Sequence, residues 1–150
     1  MKKFSFRLET VLEMRKKKLE DIRQEMAKVI KVLNSQIEQK EALEARSTNA
    51  RKCLEKIYTS GEELDIFEVT NYKNFIGKVA NNVRVQNGVI ENTRNILKVK
   101  QLEVNAALKE VKVLEKLKEK QEAKFYEHLN YLEMKELDDI ASTRYKRVLV

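Results

Sequence analysis

Apolar residues recur along this chain every seven positions. In the first half, one series runs Leu12, Leu19, Met26, Leu33, then Lys40, Ser47 and Leu54. The other runs Leu8, Arg15, Ile22, Val29, Gln36, Leu43, Ala50 and Ile57. The two alternate in steps of four and three, which is the a/d seam of a coiled coil. In the second half, one series is Ile76, Val83, Ile90, Leu97, Val104, Val111, Lys118, Phe125 and Leu132. The other is Tyr72, Val79, Gln86, Thr93, Lys100, Ala107, Leu114, Gln121 and His128. This last series is largely polar, so the second seam is the weaker one.

Between the halves the register is lost. Thr59 to Asp65 holds the only clustered turn chemistry. Gly61 can take the left-handed conformation that ends a helix. Asp65 with Glu68 three residues later reads as a capping box with Asp in place of Ser or Thr. The pattern therefore predicts an all-α fold: two long helices over about 4–58 and 66–144, joined by a loop over about 59–65. So short a loop makes the helices antiparallel neighbours, giving a coiled-coil hairpin whose second helix is longer. At 1.5 Å per residue the first helix is roughly 80 Å long and the second roughly 120 Å. Folding about Gly61 puts Leu8 near residues 115–118. The second helix then overhangs from about Phe125, carrying Leu129, Leu132, Leu137 and Ile140 as an apolar surface with no partner in its own chain.

Composition supports long helices. Of 150 residues, 37% are charged, 7% are aromatic and none is proline, the residue that breaks helices at a cost of roughly 3 kcal/mol. One domain is the expectation at this length. The net charge is +7. Over most of the chain Lys and Glu interleave, as on a solvated helix surface. The N-terminus differs: Lys2, Lys3, Arg7, Arg15, Lys16, Lys17 and Lys18 meet only Glu9 and Glu13, which suits an acidic partner. The single cysteine, Cys53, leaves no intrachain disulfide to form. No leader-like run and no stretch of about 18 apolar residues is present, so a cytoplasmic protein is expected.

Candidate chemistry is sparse. The single histidine, His128, rules out a His-rich metal site and a HExxH helix. No phosphate-cradling glycine loop occurs. A straight coiled coil has no cleft in which to desolvate paired carboxylates. The chain is therefore expected to be no enzyme, with no cofactor, metal or small-molecule substrate. Cys53 falls beside the seam as a tolerated small side chain. Basic coiled-coil arms can grip RNA through phosphates, but no base-reading element accompanies these lysines, so protein partners are favoured and no nucleic acid is expected. The segment Tyr72–Val79 is the most aromatic near the loop. It faces the small and polar stretch around Ala45, Ser47, Asn49 and Ala50, which allows either ordinary packing or partial exposure of Tyr72 and Phe75.

Three features together resemble the flagellar export protein FliJ family. The opening Phe4-x-Phe6-x-Leu8-x-x-Val11-Leu12-x-x-Arg15 is similar to that family's start. Tyr72-Lys73-Asn74-Phe75-Ile76 follows the mid-chain loop. The ending carries Leu114-Glu115-Lys116-Leu117, then Glu133-x-Lys135-x-x-Asp138-Asp139-Ile140-Ala141 and Arg144, with Asp139 where Glu is usual. The resemblance spans essentially the whole chain. It implies a non-enzymatic stalk of the flagellar type III export apparatus, cytoplasmic but peripherally associated with the inner face of the membrane. The implied partners are the hexameric export ATPase, the membrane export gate and export chaperones. On that reading Phe4, Phe6, Leu8, Leu12, Arg15, Leu132, Lys135, Asp138, Ile140 and Arg144 would engage the ATPase, and Tyr72, Phe75, Ile76 and Val79 the gate. The chain alone is expected to be monomeric. A generic coiled-coil scaffold, or a stalk of a related secretion system, is the other reading.

Overall fold

The structure, a computed structural model, describes residues 3–148; Lys2 of the basic N-terminal cluster lies outside them. Among the described residues there are two helices, α1 (Glu9–Thr59) and the longer α2 (Ile66–Val148). The helix pair is organised as two compact units. One joins the described residues up to Asp21 with those from Val104 onward; the other is Ile22–Glu103. In each, α1 and α2 run antiparallel.

α1 begins at Glu9, later than the sequence pattern suggests, because Phe4 to Leu8 serve packing instead of helix. The Glu9 amide donates to the Phe6 carbonyl at 3.2 Å, and the first helical bond is Leu12 to Leu8 at 2.9 Å. This turn buries Phe6 and lays the Phe4 ring against Phe125, with centroids 5.7 Å apart and planes tilted 52°. In the same unit, Phe6, Leu12, Leu19, Val104, Ala107 and Val111 are buried. Ion pairs flank them: Glu9 with Lys118 at 2.8 Å, Arg15 with Glu110 at 2.7 Å and Lys16 with Glu115 at 3.5 Å. Exposed pairs of this kind add little stability but favour one register. The Glu9–Lys118 pair sets the N-terminal residues beside the segment expected for Leu8.

The unit Ile22–Glu103 contains the loop and is itself a helical hairpin. Gly61 has φ of 71°, the left-handed conformation its position calls for. Ser60 Oγ donates to the Ile57 carbonyl at 3.0 Å. Asp65 caps α2: its Oδ1 accepts from the Phe67 amide at 2.9 Å, while its carbonyl accepts from Val69 at 3.0 Å. Leu33, Ala50, Val79 and Ile90 form the buried apolar seam. Several polar seam positions find partners within this unit, although Gln36 Oε1 is buried without one. Gln86 Nε2 donates to the Gln36 carbonyl at 2.9 Å and to Gln39 Oε1 at 3.3 Å. Thr93 Oγ1 donates to Val89 of its own helix at 3.1 Å. Lys100 Nζ bridges Glu25 at 2.8 Å and Glu103 at 3.2 Å.

The free end of α2 is shorter than the sequence suggests. Phe125 has the Phe4 ring as partner, and Leu129 is half-buried. Gln121 and His128, although in the repeat, are exposed. From Asn130 through Val148 every residue is exposed.

Candidate partner-binding surfaces

Two surfaces stand out, one in each unit. In the unit Ile22–Glu103, α1 and α2 leave a groove of about 570 Å³ between Arg46, Asn49, Ala50 and Cys53 on one side and Glu68, Asn71, Tyr72 and Phe75 on the other. It exists because α1 offers small side chains where α2 offers aromatic rings. Phe75 is 42% exposed, whereas Val79 is 4% exposed. Tyr72 and Ile76 are half-buried. Of the four residues expected at the gate, Tyr72 and Phe75 line the groove, Ile76 lies beside it, and Val79 is part of the packed seam. The Tyr72 hydroxyl is held above the usual tyrosine range, chiefly by the charge of Cys53, then by burial and by Glu68. Sequence reading placed Asn49 and Ala50 opposite the aromatic residues but missed Arg46, Cys53 and Glu68. Their spacing could have shown it: Arg46 and Cys53 lie four before and three after Ala50, on one helix face.

The second surface belongs to the other unit. Leu132 and Ile140 are 40% and 53% exposed, and their separation of eight residues keeps them on one helix face. Lys135, Asp138 and Arg144 are exposed too but are spread around the helix. The N-terminal residues expected to join them divide differently. Phe6 and Leu12 are only 5% and 1% exposed, so they hold the N-terminus on α2. Phe4 and Leu8 are half-buried, and the Arg15 guanidinium is committed to Glu110. The Lys118 ammonium is held above the usual lysine range by its hydrogen bond to Glu9. Lys3, Arg7, Lys17 and Lys18 remain exposed, giving this end basic character.

Among the described residues no three His, Cys, Asp or Glu side chains are grouped to hold a metal ion. No described helix is long and apolar enough to cross a membrane. Both surfaces offer apolar and charged contact area. In comparison with known proteins, the family described as "Flagellar FliJ protein" matches residues 4–149. No curated protein and no solved structure matches the chain.

Proposed function

The chain belongs to the flagellar FliJ protein family, and on that premise we propose that it is a non-catalytic stalk and adaptor of the flagellar protein-export apparatus. The end of α2 seats at the centre of the hexameric export ATPase. Leu132 and Ile140 supply apolar contacts there, and Lys135, Asp138 and Arg144 supply polar ones. Phe4, Phe6, Leu8, Leu12 and Arg15 act beside them chiefly by anchoring the N-terminus on α2. The groove at Tyr72 and Phe75, with Ile76 at its edge and Val79 beneath, serves the membrane export gate. Export chaperones are further partners, and the protein works in the cytoplasm against the inner face of the membrane.

One observation carries this reading: α2 continues as exposed helix from Asn130 to Val148. Apolar area left in water forfeits about 25 cal/mol per Å² that a partner could recover. The exposed basic residues of the N-terminal segment would speed encounter with an acidic ring lumen. The test is steady-state ATP hydrolysis by the hexamer with the double variant Leu132→Asp, Ile140→Asp. The variant keeps its helix content, because both positions are already solvated, and stimulation is lost. Unchanged stimulation by the folded variant removes this end of α2 as the ring-binding element.

A further inference from the structure

The end of α2 carries a second apolar stripe that the stalk reading does not use. Met134, Leu137, Ala141, Tyr145 and Val148 lie on one face of the helix, opposite Leu132 and with Ile140 at its edge. The four large side chains are 65–84% exposed. The stripe is symmetric in sequence. Apolar residues stand seven and four positions before Ala141, and four and seven positions after it. The charges around it are antisymmetric. Glu133, Lys135, Glu136, Asp138 and Asp139 precede Ala141 with a net charge of −3 (one positive, four negative), and Arg144, Lys146 and Arg147 follow with +3.

A stripe symmetric in the spacing of its apolar positions and antisymmetric in charge is complementary to itself when turned end for end. We propose that this face docks a second copy of the same chain, the two α2 ends pairing antiparallel about a two-fold axis at Ala141. In that arrangement Met134 meets Val148 of the second copy, and Leu137 meets its Tyr145. Ala141 meets Ala141, the smallest side chain of the stripe at the crossing point, where it lets the helices approach closely. The acidic half of each helix runs along the basic half of the other. Glu133 and Arg147 flank the stripe on the same side, and the two-fold brings each within two residues of the other across the interface. Parallel pairing would set like charges together, which disfavours it.

The five side chains cover less than the roughly 800 Å² per partner of a stable complex. The dimer is therefore weak, with a dissociation constant on the order of 100 µM. This departs from the expectation of a monomer, and it does not depend on the stalk reading, since it concerns this chain alone. Because the same stretch of helix would enter an ATPase ring, pairing and ring seating would exclude each other.

Sedimentation equilibrium of the full chain from about 5 µM to about 1 mM is the first measurement. The apparent mass should rise from 17.7 kDa toward twice that value. Glu133→Arg and Arg147→Glu should each weaken association several-fold, and the two together should restore it. Geometry is tested by single cysteines in a Cys53→Ser background, oxidised with diamide at high protein concentration. Ala141→Cys should give a disulfide-linked dimer, because only this position meets its own copy, whereas Leu137→Cys should not. A chain that stays monomeric to about 1 mM overturns the proposal. So does linkage of Leu137→Cys as readily as Ala141→Cys, which would mean parallel pairing or a surface taken by some other partner.

Discussion

Phe75 and Val79 are one helical turn apart, yet their roles separate cleanly. Phe75 is exposed at the mouth of the groove, and Val79 is buried in the seam. Phe75→Ala should leave helix content unchanged and abolish binding to the export gate. Val79→Ala should cost on the order of 2 kcal/mol of stability from lost burial and the cavity left behind. Circular dichroism with urea unfolding, beside a gate-binding assay, checks the pair; loss of helix in Phe75→Ala would make that residue plain core. The polar seam makes its own predictions. Gln36 Oε1 is buried without a partner, while the Gln36 carbonyl, not its side chain, receives Gln86. Gln36→Leu should therefore stabilise the fold by about 1 kcal/mol in urea unfolding. The hydrogen bond and charge of Lys100 hold the Glu25 carboxyl below its usual range, and hydrogen bonds to Glu25 and Glu103 hold Lys100 above its own. A depressed carboxylate stabilises above its unfolded pKa, and that contribution goes as pH falls through the folded value. A raised lysine stabilises below its unfolded pKa, and that contribution goes as pH rises through the folded value. The Tm should be level between about pH 5 and 10 and fall on both sides, modestly and less so in high salt, since these groups are exposed. A Tm that climbs below pH 4 would contradict the pairing.

At the scale of elements, α1 was almost wholly legible. Every position of its two heptad series from Leu8 to Ile57 is buried or half-buried, because in each unit a segment of α2 lies beside α1. The loop was legible for a different reason: Gly61 and Asp65 are among the few residue types suited to a left-handed stop and an N-cap. Two features were not legible. The start of α1 at Glu9 depends on where Phe4 and Phe6 find partners, which is a tertiary matter that helix propensity does not carry. The repeat in α2 continues through Gln121, His128 and Leu132, yet these are exposed; heptad spacing marks a face, and only a facing helix makes it a core. The antiparallel pairing in the unit Ile22–Glu103 has a direct check. Cysteines replacing Met26 and Leu97, with Cys53→Ser, should link within one chain, at a yield independent of protein concentration. Linkage only between chains would contradict it.

For the molecule as a whole, the sequence carried the class of fold and the family, since both rest on spacing sustained over the full length. It did not carry the division of the expected contact residues into exposed and buried ones. Phe6 and Leu12 stand in the same opening motif as Phe4 and Arg15, and only packing tells an anchor from a contact. In the proposed function, the exposed end of α2 occupies the middle of an ATPase ring, where a single helix fills a site that six subunits share. Native mass spectrometry of the hexamer with excess chain tests this most directly. One chain should bind per hexamer, with the complex lost for Leu132→Asp, Ile140→Asp; a complex saturating at six chains per hexamer would place the chain on the outside of the ring and contradict central seating.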